Sequence, residues 1–259
     1  MKVKDIASYL LKEYPTSLAS SFDSGKIGLQ FGSMEKEVKK VMIALDGSTA
    51  VVKEAIEQNV DLLITHHPFM FNSLLNMNYD NPLQERIKLV IQNELNVFAM
   101  HTNFGVAVNG MNELLSLKLG IKNIRSDQEE IDCNSFLRYG EVNKTNLLDF
   151  VNHVKKVFGL DGVRVVGDLT SDVKKVGIIG GSGGFELYKA AFRGCDTYIT
   201  GEIKHNQALD AVDLGINLIE VNHGVESVFK EYIKSRLENE FSGVEFVISS
   251  KDLDPFIIK

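Results

Sequence analysis

Cysteine is nearly absent. The 259 residues carry two, Cys133 and Cys195, far apart and in no Cys-x-x-Cys pair. That excludes a cysteine-built metal framework and points to two unpaired thiols in a reducing cytoplasm. Positive charge is also in deficit, with 28 Lys and Arg against 35 Asp and Glu and a net charge of −7. Non-specific nucleic-acid binding rests on phosphate neutralisation, so this balance disfavours it. No apolar run reaches the roughly 18 residues of a membrane-span candidate. The first residues, Met1-Lys2-Val3-Lys4-Asp5-Ile6, lack the apolar segment of a signal peptide. What remains, 44% hydrophobic and 24% charged, is an ordinary globular composition long enough for one or two domains.

The chain is organised around Asp61-Leu62-Leu63-Ile64-Thr65-His66-His67-Pro68-Phe69-Met70-Phe71. Leu62 to Ile64 reads as a buried strand. Pro68 has no N–H and cannot continue a central ladder. Two imidazoles therefore stand at a strand's carboxyl end, where open α/β sheets bind ligands. Neutral imidazole is a common ligand for zinc, iron, copper and nickel. Neighbouring strand residues point to opposite faces. One ion held by both His66 and His67 needs the chain to turn there; two ions, one per imidazole, fit equally well.

Around this stretch the pattern predicts helices over 3–13, 50–58, 83–92, 111–119 and 147–158, and strands over 40–45 and 97–100. Strand alternating with helix is the signature of a parallel α/β unit. Residues 121–145 read as a connector and a strand. The pattern then restarts. Lys39 to His67 aligns without a gap on Lys174 to Glu202, with Lys39, Lys40, Val41, Ile43, Ala55, Asp61, Ile64 and Thr65 matching Lys174, Lys175, Val176, Ile178, Ala190, Asp196, Ile199 and Thr200. The echo continues from Asn96–His101 to Asn217–His223 with one extra residue. The expectation is an α/β fold of two similar lobes, residues 1–127 and 128–259, with the C-terminal segment free to pack back on the first. His101 and His223 end corresponding strands. His66-His67 corresponds to Gly201-Glu202.

Four of the six histidines, His66, His67, His101 and His223, thus fall at three strand ends, and Glu226 follows His223 at helical spacing. A histidine and carboxylate set without cysteine suits zinc, iron or manganese. His153, on a helix, and His205 read as structural. Gly180-Gly181-Ser182-Gly183-Gly184 reads as a tight turn, with a phosphate cradle as the other reading; it lacks the Lys-Ser/Thr of a P-loop.

These motifs resemble the GTP cyclohydrolase I type 2 homologue family, the Nif-three-like proteins with a dinuclear metal centre. The resemblance spans nearly the whole chain: Phe22-Asp23 to Gly28-Leu29-Gln30, Thr65 to Phe71, His101-Thr102-Asn103, Gly180 to Gly183, Thr200-Gly201-Glu202 and His223-Gly224-Val225-Glu226. It implies a toroidal homohexamer of short-form chains, with His66, His67, His223 and Glu226 binding up to two divalent ions per subunit (zinc, iron or manganese) and Glu226 bridging. It implies that His101 stands beside the site, as a ligand, an orienting group or the catalytic proton carrier. The implied activity is metal-dependent hydrolysis of a nucleotide, by analogy the ring opening of GTP. The alternative is a non-catalytic metal-binding scaffold or interaction protein. One departure stands out. The family motif reads His-Thr-Asn-x-Asp, and here Gly105 occupies the place of the aspartate ligand. Asn103 is a poor anionic substitute, and Glu113 compensates only if its helix end reaches the site.

Overall fold

The computed structural model describes residues 1–126 and 135–258. Cys133 and the boundary expected between residues 127 and 128 lie outside the described residues. The protein is mixed α/β with two sheets, in two compact units: Met1–Phe104 with Phe229–Pro255, and Gly105–Val228 with Phe256–Lys259.

The first unit carries the strands β1 (Gly28–Phe31), β2 (Lys40–Ala44), β3 (Leu62–Thr65), β4 (Asn96–Ala99) and β11 (Glu245–Ile248), in the order β1-β4-β3-β2-β11. β2, β3 and β4 run parallel and β3 and β4 are buried at every residue. Their near-continuous apolar sequences suit a sheet covered on both faces. After an opening helix α1 (Val3–Glu13), the helices that return the chain are α2 (Thr49–Glu57) and α3 (Pro82–Gln92). Ser48 caps α2 by accepting from the Val51 N–H at 3.3 Å, and Asn81 with Pro82 starts α3. Their apolar faces, Val51, Val52, Ala55, Ile87 and Val90, close on Met42, Leu63 and Val97 of the sheet.

The second unit carries β5 (Lys122–Ser126), β6 (Arg138–Asn146), β7 (Arg164–Val166), β8 (Asp172–Ile179), β9 (Thr197–Thr200) and β10 (Asn217–Glu220), in the order β5-β6-β8-β9-β10-β7. β8, β9 and β10 are parallel; β6 and β7 are antiparallel to their neighbours. Where a connector and a strand were expected over 121–145, the described residues form two antiparallel strands, β5 and β6, at one edge of the sheet.

The registers of the two parallel cores correspond residue for residue. Val41 pairs with Leu62 and Ile43 with Ile64 in the first; Val176 pairs with Thr197 and Ile178 with Ile199 in the second. Asp61 accepts from the Lys39 and Lys40 N–H groups at 2.8 and 3.0 Å, and Asp196 accepts from Lys174 and Lys175 at 2.9 and 2.8 Å. The matched aspartates therefore do the same job, pinning the start of the neighbouring strand. The extra residue of the second copy is Asn222, whose φ of +64° absorbs the insertion in a left-handed bend.

The last strand is fastened to the first unit by a buried carboxylate. Glu54 of α2 accepts from the Ser249 and Ser250 hydroxyls at 2.5 and 2.6 Å and from the Ser250 and Lys251 N–H groups at 3.0 and 3.3 Å. Burial alone would raise its pKa, but the donated hydrogen bonds outweigh that and hold it below its ordinary value. A depressed folded pKa stabilises above the unfolded value of roughly 4.3 and loses that contribution as pH falls through the folded pKa. Glu54→Ala strips five donors of their acceptor, the four above and Gln58 Nε2 at 3.4 Å. It is expected to lower unfolding stability by about 2–3 kcal/mol at pH 7, measured by urea denaturation, and by progressively less as the pH is taken below about 4.

Candidate metal centre

The carboxyl ends of β3 and β4 bring three histidines together. The chain leaves β3 at Thr65 and bends at His66 and His67, so the turn that shared coordination requires is present. The His66 and His67 rings stand 5.1 Å apart. His101 follows β4, with its ring centroid 5.4 Å from His66 and 5.7 Å from His67. One ligand nitrogen from each of the three lies within 4.8 Å of the others, a group able to hold a metal ion. His66 is buried at 3% exposure, and its ring rests against Phe104 and Phe229.

The Nδ1 atoms show what these rings are arranged for. His67 Nδ1 lies 2.8 Å from Asp46 Oδ1, and His101 Nδ1 lies 2.6 Å from Asp23 Oδ2. An ionised carboxylate only accepts, so Nδ1 carries the proton and Nε2 is left with its lone pair. This is the arrangement that sets the tautomer and direction of a metal-binding histidine. Asp23 is buried and also accepts from the Thr102 N–H and hydroxyl. Burial pushes its pKa up, and the bonds from His101 and Thr102 pull it further down, so it is held below its ordinary value. Asp46 sits on a braced turn. Asp252 accepts from the Leu45 and Asp46 N–H groups at 2.6 and 3.3 Å and pairs with Lys230 at 3.0 Å.

The second unit holds a histidine and carboxylate pair of its own. After Asn222 the chain makes a tight helical turn, His223–Ser227, that sets His223 Nε2 3.1 Å from Glu226 Oε2. His223 Nδ1 lies 2.7 Å from Glu202 Oε1, so a third imidazole is tethered by a carboxylate. The glycine-rich turn is neither a plain connector nor a demonstrated phosphate cradle. A Cβ at Gly180 would come 2.8 Å from Glu226 Oε1, and one at Gly181, where φ is +59°, would come 3.1 Å from His223 Nε2. The glycines let the backbone lie against both side chains. Asn112 fixes this turn from the other side, accepting from Gly180 N–H at 2.7 Å while donating to the Gly105 carbonyl at 3.0 Å.

The remaining sequence candidates fall elsewhere. His153 lies 3.1 Å from the Leu119 carbonyl and stacks on Phe150. His205 is exposed at the start of its helix. Asn103 donates to the Tyr14 carbonyl at 2.7 Å. Glu113 accepts from the Asn109 N–H at 2.9 Å, closing its own helix start. A Cβ at Gly105 would meet the Phe136 ring at 3.3 Å. Sequence reasoning passed over Asp46, Glu202 and Asp252 as site residues. Asp46 reads as a turn residue, and its only signal is its place at the end of the strand beside the histidine strand.

Among known proteins, the model of the Duf34/NIF3 (NGG1p interacting factor 3) family matches residues 1–255. The chain belongs to the Duf34/NIF3 family. This NIF3-family chain is 32% identical, over 99% of both chains, to a Clostridium perfringens protein named GTP cyclohydrolase 1 type 2 homolog. A Staphylococcus aureus hypothetical protein superposes at a TM-score of 0.91 with 33% identity, covering 100% of this chain and 99% of the other. A Bacillus cereus protein related to NIF3 superposes at 0.92 with 26% identity, covering 100% and 99%. Among the described residues no helix is long and apolar enough to cross a membrane.

The donor chemistry of each unit suits a divalent ion: three imidazoles in the first, an imidazole and a carboxylate in the second, with Nδ1 of His67, His101 and His223 already tethered. Losing such a tether typically costs ten- to a hundredfold in metal affinity. Asp46→Ala and Glu202→Ala are each expected to weaken zinc binding by about that much in a chelator competition, while His153→Ala leaves it unchanged.

Proposed function

We propose that this chain is a metal-dependent hydrolase acting on a nucleotide, with His66, His67, His223 and Glu226 holding up to two divalent ions (zinc, iron or manganese) and Glu226 bridging. The observation that carries this reading is the tethering of His67, His101 and His223, each by Nδ1, to Asp46, Asp23 and Glu202. Purely structural histidines do not need three matched tethers at strand ends. A bound divalent ion lowers the pKa of water towards neutrality and so makes a hydrolytic nucleophile available.

His101 then handles the proton. With Asp23 keeping Nδ1 protonated, Nε2 is the basic atom, able to take a proton from water and return it to the leaving nitrogen. The nucleotide is suggested by relatives named GTP cyclohydrolase 1 type 2 homolog. In that reaction water adds at C8 of guanine, the C8–N9 bond breaks and N9 receives the proton. The assembly we favour is the homohexamer of the family resemblance, and the setting a reducing cytoplasm.

Gly105 favours a second reading, a non-catalytic metal-binding scaffold or interaction protein. With no carboxylate at 105, one ion loses a charged ligand and is the weaker of the two. Elemental analysis after gel filtration is expected to find one firmly held ion per chain, none in Glu226→Ala, and close to two in Gly105→Asp. Two firmly held ions in the natural sequence would sink the weak-ion reading. Turnover of a nucleotide panel with manganese, zinc or iron is expected to fall at least a hundredfold in His66→Ala. Firm metal binding with no turnover of any nucleotide would hand the function to the scaffold reading.

A further inference from the structure

Within the first unit, the segment Phe22–Lys26 does more than supply Asp23. Phe22 and Phe71 are half exposed, at 55% and 50%, although large apolar rings gain by burial. Both stand edge-on to the same imidazole: Phe22 lies 6.4 Å from His101 at 70°, and Phe71 lies 6.3 Å from it at 81°. Lys26 completes the group. Its Nζ lies 3.9 Å from the centroid of the Phe71 ring, and it has no carboxylate partner among the described residues. The turn that brings it there is tight: Lys26 N–H bonds the Asp23 carbonyl at 2.9 Å, and Gly25 has a φ of +76°. Both phenylalanines are also tied to the histidine site by chain geometry. Phe22 precedes the buried carboxylate that holds His101, and Phe71 follows two residues after buried Phe69, whose N–H is held by Gln30 at 2.6 Å.

Two exposed aromatic rings and an unpaired cation around one histidine are a recognition set for a flat, negatively charged molecule. Rings stack on aromatic faces without regard to edge pattern, and an ammonium already resting on a ring face can swing to a phosphate close by. We propose that Phe22, Phe71 and Lys26 bind a free mononucleotide beside His101, the phenylalanines taking the base and Lys26 the phosphates. The proposal deepens the hydrolase reading and rests on it for the choice of a nucleotide. The acidic balance of the chain argues against a polynucleotide ligand.

The test is calorimetric titration of the full, metal-loaded protein with guanosine, GTP and a short single-stranded oligonucleotide. Phe22→Leu and Phe71→Leu keep an apolar side chain and remove the ring. Each is expected to weaken guanosine and GTP alike by roughly 5- to 100-fold, and Phe→Tyr at either position to restore binding. Lys26→Ala is expected to weaken GTP about fivefold or more and leave guanosine unchanged. Metal content and thermal midpoint, read on the same samples, are expected to match the natural protein. Leucine variants that bind both ligands normally overturn the proposal. So does a natural protein that binds no GTP at about 1 mM, or one that prefers the oligonucleotide. The two readings separate cleanly: the expected binding pattern without turnover sinks the hydrolase alone, and normal turnover in both leucine variants sinks the recognition site alone.

Discussion

An imidazole has two nitrogens and, when neutral, one proton. Everything at the strand-end histidines depends on which nitrogen keeps it. Asp46 and Asp23 settle the matter for His67 and His101 by accepting from Nδ1, whereas His223 has a carboxylate at each nitrogen, Glu202 at Nδ1 and Glu226 at Nε2. That choice propagates outward. Asp46 must be held in place, and Asp252 and Lys230 hold it from the C-terminal segment. Asp23 must stay ionised inside the protein, and Thr102 donates twice to keep it so. A buried carboxylate without such donors would take up a proton and lose its ability to fix the ring.

Close approach is the second constraint. Glu226 is 6% exposed and faces His223 across 3.1 Å. Putting backbone against that pair leaves no room for a β-carbon, which is why Gly180 and Gly181 sit there. The same turn is tied through Asn112 to the Gly105 carbonyl. Gly105 is thus wired, through its backbone, to the turn beside Glu226.

Much of this was legible in the sequence, and the reason is periodicity. Buried parallel strands such as Leu62–Thr65 are near-continuously apolar, helices such as Leu147–Phe158 show their buried stripe, and four histidines at strand ends stand out against a chain with six. The repeat was visible because Asp61 and Asp196 are needed to pin strand starts. What could not be read was contact between residues distant in the chain. Asp23 and His101 are 78 positions apart, and Glu54 and Ser249 are 195 apart. No spacing rule links them. The antiparallel edge, β5 with β6, was blurred because its burial does not alternate: β5 has no buried residue, and β6 is buried only over its first three residues.

The matched registers carry a consequence of their own. His67 and Glu202 occupy the same place in the repeat, as do Asp46 and Gly181. In one copy that place offers a nitrogen and is steadied by the acid next door. In the other copy it offers the acid, and the steadied nitrogen is His223, reached after a one-residue detour at Asn222. The backbone of a repeated strand tip thus acts as a socket: it fixes where a side chain emerges and in which direction, and leaves open whether what is plugged in is a ligand or its support. Division of labour between two copies of one motif then needs little beyond a change of side chain and a single inserted residue.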